Sequence, residues 1–325
     1  MGTEHGDHQN NLWGVILAGG EGSRLKNLSE KLYGYHRPKQ FCNLIGGQSL
    51  LRYTINRVNL LIPPERTLTV VSKHHSQYYS ESSLGLPFES ILVQPCSRNT
   101  AAAITFPMLK INQVDPDSVV ALFPSDHYIE EERQFMGHVR EAKKFVEKNP
   151  DVIVMLGIRP KMIETGYGWI ECGSAVEHDS DKNIFEVRKF WEKPQPQIAE
   201  QLFAQNSFIN TFVLVGKSAA FLTYIRQCIP HVLSAMEPIR LHLNTQRETI
   251  VIEQTFQDIP EENFSSAVLG RIARHINVME VRNVHWNDWG EEQRVLRDYD
   301  RLRKRVVRLP APPRISMEPF PIYAN

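Results

Sequence analysis

The stretch Trp13-Gly14-Val15-Ile16-Leu17-Ala18-Gly19-Gly20-Glu21-Gly22-Ser23-Arg24-Leu25 joins an apolar run to a glycine-rich turn. Trp13–Leu17 carries no polar side chain, so it reads as a strand covered on both faces. It ends in Ala18-Gly19-Gly20, and Gly22 follows. Three glycines in four positions leave no Cβ between backbone N–H groups and an approaching phosphate. Arg24 adds a rigid fork of donors for phosphate oxygens. The turn does not spell a Walker A loop or G-x-G-x-x-G. Taken alone, it suits an unliganded strand–helix turn as well as a phosphate cradle.

Working outward, the same kind of run recurs at Thr67–Val71, Val119–Phe123, Val152–Leu156, Phe212–Val215 and Val278–Val281. Helical stretches lie between them. Leu51, Ile55, Val58 and Ile62 form one apolar stripe, which Pro63-Pro64 closes. His138–Glu147, Gln197–Ala204, Ala219–Ile229 and Glu291–Val306 read similarly. Pro107 lies inside the Thr100–Ile111 stretch, where an interior proline kinks or stops a helix, so a continuous helix there stays open. Alternating strands and helices predict an α/β fold, doubly wound, with a Rossmann-like and mostly parallel sheet. Ligands of such sheets bind beyond the carboxyl ends of the strands.

The 37 basic and 37 acidic residues cancel. That argues against a bulk electrostatic grip on nucleic acid or on an anionic membrane. No apolar run approaches the ~20 residues of a membrane span. Residues 1–11 are polar and lack the apolar core of a signal peptide, so the expected location is cytoplasmic. Cys42, Cys96, Cys172 and Cys228 are widely spaced, unlike a paired-cysteine zinc site or a disulfide scaffold. The expected organisation is an N-terminal tail at 1–11, one domain at 12–308 and a tail at 309–325 containing five prolines.

A second motif, Arg37-Pro38-Lys39-Gln40-Phe41, places a lysine on a proline-stiffened backbone. Together with Gly19-Gly20-x-Gly22-Ser23-Arg24-Leu25 it resembles the signature of sugar-1-phosphate nucleotidyltransferases. The Lys-Gln-Phe ending resembles the mannose-1-phosphate guanylyltransferases within them. Ser23 replaces a threonine of that pattern, Asn27 replaces a proline, and the segment from Leu28 to Pro38 is longer. Arg98-Asn99-Thr100-Ala101 resembles a segment that holds the nucleotide base, although Asn99 or Thr100 also suits a helix N-cap. The family commonly has Glu where this chain has Gln94. A carboxylate accepts from both donors on the guanine edge, whereas Gln offers one acceptor and an amide donor.

Pro124-Ser125-Asp126-His127 follows a predicted strand, and Trp286-Asn287-Asp288-Trp289-Gly290 resembles the family's Trp-x-Asp-x-Gly. The resemblance makes Asp126 and Asp288 ligands of Mg²⁺, a hard cation that takes carboxylates, water and phosphate oxygens. Either aspartate alone would equally suit a turn. Thr165-Gly166-Tyr167-Gly168-Trp169-Ile170 and Phe190-Trp191-Glu192-Lys193-Pro194 resemble the segments that meet the sugar phosphate. They imply roles for Gly168, Glu192 and Lys193. Phe208-Ile209-Asn210-Thr211-Phe212 departs from the family's Trp-Asn-Ser-Gly-x-Phe: Asn210 stays, while Ile209 replaces Trp and Phe212 replaces Gly.

The resemblance implies that a sugar 1-phosphate attacks the α-phosphorus of a nucleoside triphosphate and that pyrophosphate leaves. GTP and mannose 1-phosphate are the expected substrates. Uridylyl or thymidylyl transfer to glucose 1-phosphate is the alternative within this chemistry. A non-catalytic sugar-nucleotide sensor is the alternative outside it. Arg24 and Lys39 are the implied catalytic cations. Leu17, Ala18, Gly19, Gly20, Gly22, Ser23, Gln94, Asn99, Thr100 and Ser125 are the implied nucleotide contacts. A homodimer is the implied assembly, with no nucleic-acid or membrane partner.

Overall fold

The computed structural model describes residues 11–81, 86–176 and 183–308. Most of residues 1–11 and all of the proline-rich tail lie outside the described residues. The strands are β1 (Leu12–Ala18), β2 (Thr67–Ser72), β3 (Ile91–Gln94), β4 (Val119–Pro124), β5 (Tyr128–Ile129) and β6 (Ile153–Ile158). They continue with β7 (Trp169–Ala175), β8 (Ile184–Trp191), β9 (Phe208–Lys217), β10 (Ile276–Glu280) and β11 (Trp286–Asn287). The helices are α1 (Lys26–Tyr33), α2 (Leu50–Val58), α3 (Ser76–Glu81), α4 (Asn99–Val114), α5 (Glu132–Lys148) and α6 (Pro196–Ala204). After β9 come α7 (Ser218–Cys228), α8 (Pro230–Ala235), α9 (Glu237–His242), α10 (Glu248–Thr255) and, last, α11 (Glu292–Arg308).

The main sheet has the order β3-β2-β1-β4-β9-β6-β10-β8-β7. Alternate residues of its strands enter two separate cores. Val15, Val120 and Leu122 pack with α4 and α7–α10. Leu12, Ile16, Val119, Ala121 and Phe123 pack with α2, α5 and α6. Helices therefore cover both faces, which is why these strands are apolar throughout. Each large side chain fully buried this way contributes roughly 1.5–3 kcal/mol.

The expected mostly parallel sheet holds for one half only. β3, β2, β1 and β4 run parallel. β9 then enters antiparallel between β4 and β6, and β8 and β7 are antiparallel to their neighbours. β7 also pairs with β9, which partly closes this half on itself. The sheet is thus mixed. Burial on both faces erases the polar alternation that marks many antiparallel strands, so β9 reads like its parallel neighbours.

The stretch left open by Pro107 is one continuous helix. α4 runs through it, with Phe106, Met108, Leu109 and Ile111 buried. Burial of that apolar face outweighs the one hydrogen bond a proline forfeits.

A separate two-stranded ladder does most to position the site. β5 pairs antiparallel with β11, Trp286 facing Ile129 and Asn287 facing Tyr128. β5 begins two residues after Asp126, and β11 ends one residue before Asp288. The ladder therefore brings together two carboxylates far apart in the chain. Under it lies a third apolar cluster of Leu25, Leu50, Tyr128, Trp289 and Val295. Tyr128 and Trp289 stack there with ring centroids 4.7 Å apart.

Candidate active site

The cleft opens where β1 and β4 end side by side, Leu17 facing Pro124. Its volume is about 450 Å³. Past β1 the chain turns through Gly22 at φ 61, a left-handed conformation that glycine adopts without strain. A Cβ there would stand 2.5 Å from the Lys39 backbone nitrogen. Gly22 thus lets the glycine turn lie directly on the Pro-Lys-Gln segment. Gln40 fastens the contact from the other side, its Nε2 donating to the carbonyls of Ala18 at 2.9 Å and Gly20 at 2.7 Å.

Lys39 is 4 % exposed. A buried ammonium is costly unless it is paired. Its Nζ donates to Asp126 Oδ2 at 3.0 Å and to the Asp288 backbone carbonyl. An ammonium has three donors, so one remains beyond these two contacts. Burial alone would raise the Asp126 carboxyl. The ammonium of Lys39, with His127 beside it, outweighs burial and holds Asp126 below the usual carboxylate range.

Asp288 is organised just as closely. Its Oδ1 accepts from Tyr167 Oη at 3.0 Å, Gly290 N at 2.9 Å and Arg294 Nη1 at 2.9 Å. Its Oδ2 faces Arg24 Nη1 at a loose 3.5 Å. Burial works to raise this carboxyl too, but His127, Lys39, the Gly290 N–H and Arg294 together depress it. Gly290 permits the approach, since a Cβ there would lie 2.6 Å from Arg24 Nη1. His127 lies between the aspartates' loops. Burial pushes it down to about 4, against the pull of Asp126, so it is neutral near pH 7. Trp286 Nε1 accordingly donates to its Nδ1 at 3.3 Å.

α11 supplies the supports. Arg294 holds Asp288, pairs with Glu164 at 2.8 Å and lies over the Tyr167 ring at 4.3 Å. Asp298 accepts from His285 Nε2 at 2.7 Å, Asn287 Nδ2 at 2.9 Å and Trp289 Nε1 at 2.8 Å. Three residues around Asp288 thus hang on one carboxylate. Sequence reasoning missed Gln40, Tyr167, Arg294 and Asp298. Gln40 and Tyr167 sit inside quoted motifs, whereas Arg294 and Asp298 resemble ordinary charges of a polar helix.

Most residues expected at a site do line this cleft. From the nucleotide set, Leu17, Gly19, Gly20, Gln94, Asn99 and Thr100 line it, and so does Arg24. Gly168, Glu192, Lys193 and Asn210 line it too, as do Asp126 and Asp288. Ala18, Gly22 and Lys39 stand behind the wall, and Ser23 is exposed near the turn. Ser125 is 3 % exposed and spends its backbone N–H on the Leu17 carbonyl and its carbonyl on the Thr54 hydroxyl. It does not line the cleft. Thr100 uses its hydroxyl to accept from Phe264 N at 2.8 Å, tying α4 to the opposite wall. Gln94 differs: its Nε2 is buried without a hydrogen-bond partner among the described residues, as expected of a group awaiting a ligand.

The family model described as nucleotidyl transferase matches residues 13–296. A mannose-1-phosphate guanylyltransferase of Escherichia coli (strain K12) is 32% identical over 288 residues, 87% of this chain and 58% of that one. The mannose-1-phosphate guanylyltransferase ManC of Salmonella typhimurium is 33% identical over the same shares. The chain therefore spans less than two thirds of the length of these relatives. A crystal structure from Thermus thermophilus, described as a mannose-1-phosphate geranyltransferase, superposes with TM-score 0.74 at 25% identity, covering 88% of this chain and 79% of that one. A UDP-glucose pyrophosphorylase complexed with UDP-glucose shares the fold at TM-score 0.54 and 13% identity, over 90% of this chain and 98% of that one. The fold is the α/β nucleotide-diphospho-sugar transferase type.

Two outcomes follow from the geometry. Gly22→Ala should destabilise the protein by about 1–3 kcal/mol, from the strained φ and the contact with Lys39. Gly20→Ala, whose Cβ would meet nothing within 4 Å, should leave the denaturation midpoint unchanged. Equal midpoints for the two variants would contradict this. For Asp298, burial raises its carboxyl, but bonds from His285 and Trp289 more than offset that and depress it. A depressed carboxylate stabilises above its unfolded value of about 4, and that stability is lost as pH falls through the lower folded value. Asp298→Asn should therefore cost about 1–3 kcal/mol at pH 7. The gap to the native chain should shrink in titrations below pH ~4, and a gap constant down to full acid unfolding would refute it.

Proposed function

Because the chain belongs to the nucleotidyl transferase family, we propose that it transfers a guanylyl group from GTP to mannose 1-phosphate and releases pyrophosphate. Residues 12–308 form the transferase unit. The observation that carries this reading is the meeting of the glycine turn and two depressed carboxylates in one cleft, with Lys39 directly behind its wall and bonded to Asp126.

The sugar phosphate oxygen attacks the α-phosphorus in line, and the bond to the β-phosphate oxygen breaks. A phosphate monoester is already largely ionised near neutral pH, so the attacking oxygen needs no general base. That fits a site whose half-buried histidine, His127, is neutral and accepts from Trp286. Catalysis then rests on positioning and on charge stabilisation. Lys39, just behind the wall with one donor beyond its two contacts, supplies positive charge to the α-phosphate and the incoming phosphate. Arg24, whose side chain is 59 % exposed, is free to swing onto the departing β- and γ-phosphates. The Gln94 amide sets an N–H and a C=O side by side, which complements the O6 and N1–H edge of guanine. Glu192 and the Asn210 amide face the sugar hydroxyls.

The donor set suits a small divalent cation. Asp126 and Asp288 are two carboxylates in a phosphate-binding cleft, and no cluster of three or more acidic, His or Cys ligands exists among the described residues. Mg²⁺ takes one or two carboxylates and completes its shell with water and substrate phosphates. Bound there, it would neutralise charge on the phosphate oxygens.

Gln94 also complements the O4 and N3–H edge of uracil or thymine, so the base is tested directly. Pyrophosphate release is measured across GTP, UTP and dTTP with mannose 1-phosphate and glucose 1-phosphate. GTP with mannose 1-phosphate should give the highest kcat/KM. A higher value for a pyrimidine triphosphate with glucose 1-phosphate would reassign the substrates, and nucleotide-sugar binding without any release would reassign the protein as a sensor. Lys39→Ala should lower kcat by about 10²–10³-fold, and an unchanged kcat would remove Lys39 from the mechanism. Asp126→Asn should raise the Mg²⁺ concentration needed for half-maximal rate while the circular dichroism spectrum stays native. A superimposable Mg²⁺ titration would count against that ligand.

A further inference from the structure

Seven described non-glycine residues have φ in the left-handed region. Four are asparagines, which tolerate it. The other three are Lys193, Phe212 and Trp289. Lys193 and Phe212 line the cleft, and Trp289 follows Asp288. For a bulky residue this conformation is a true outlier, kept only where the surroundings over-determine it. Phe212, at φ 57, has no part in the chemistry described above.

The surroundings of Phe212 do over-determine it. β9 kinks at Asn210-Thr211-Phe212, and its register with β6 slips between Met155 and Gly157. The Phe212 N–H donates to Asn210 Oδ1 at 2.9 Å. The fully buried Thr211 hydroxyl donates to the Leu156 carbonyl at 2.7 Å and accepts from Val213 N at 3.3 Å. The Asn210 N–H donates to the Gly168 carbonyl at 2.9 Å. The kink is thus locked from both sides. A glycine would meet it without strain, and the family pattern has glycine at this position, yet this chain keeps a phenyl ring in the cleft wall. Phe212 lines the same cleft as Gly168 and Glu192 and sits two residues from Asn210, which is tied to Gly168.

We propose that Phe212 is a specificity-determining residue whose ring walls the acceptor end of the cleft and limits the bulk of the sugar 1-phosphate admitted there. A plain hexose 1-phosphate fits. One with an acetamido group in place of a ring hydroxyl is refused. This inference rests on the proposed nucleotidyl transfer.

The test measures kcat/KM for mannose 1-phosphate and for N-acetylglucosamine 1-phosphate, with the same triphosphate, in the native chain and in Phe212→Gly, Phe212→Ala and Phe212→Leu. The ratio of acetamido to plain sugar should rise about tenfold or more in the Gly and Ala variants. It should stay near the native value in Phe212→Leu, which keeps most of the bulk. The triphosphate KM should hardly move. Phe212→Gly should also unfold at a higher denaturant midpoint than Phe212→Ala, which loses the ring but keeps the strained φ. An unchanged ratio in both small variants, or an equal loss of activity on both acceptors, overturns the inference while leaving the transferase reading intact. No pyrophosphate release by the native chain with any pairing would instead defeat that reading, and this inference with it.

Discussion

The structure turns on one buried ammonium. Lys39 reaches Asp126, 87 positions away, and the carbonyl of Asp288, 249 positions away. An unpaired charge in that place would cost several kcal/mol. The chain must therefore deliver both partners, and much of its local structure does so. Gly22 lets the turn after β1 lie against the Lys39 backbone. The β5–β11 ladder carries the two aspartates into register. Arg294 and Asp298 then fix the segment that holds Asp288. The result is a cleft whose charges are set before any ligand arrives, which is the condition under which electrostatic stabilisation is most effective.

The two halves of the sheet divide the labour. The parallel strands end at the glycine turn, Gln94 and Asp126, where a triphosphate would lie. The antiparallel strands contribute Gly168, Glu192, Asn210 and Phe212, where the proposed acceptor would lie. An acceptor wall built on strands, with its kink locked by Asn210 and Thr211, holds its shape better than one built on a long loop. Selection by Phe212 needs that rigidity, because a yielding wall would admit a bulkier sugar.

Much of this was legible in the sequence, for a physical reason. Strands covered on both faces are apolar throughout, so β1, β2 and β4 stood out. The glycine turn, Lys39, Asp126 and Asp288 fall just beyond strands or in short motifs, where their chemistry is exposed to reading. Strand direction was not legible, because β9 is as apolar as its parallel neighbours. β7 and β8 carry mixed polar residues and were missed as strands. Arg294 and Asp298 were invisible because a charged residue on a polar helix looks the same whether it faces solvent or a buried aspartate. Phe212 was visible as a departure from a pattern, but its left-handed backbone, which gives the departure meaning, belongs to three dimensions.

A crystal structure of this chain with GDP-mannose and Mg²⁺ tests the central claim most directly. The account predicts the diphosphate within hydrogen-bonding distance of Lys39 Nζ, the metal on Asp126 and Asp288, the base against Gln94 and the hexose between Glu192 and Phe212. A nucleotide sugar bound away from Lys39, with neither aspartate on the metal, would contradict it.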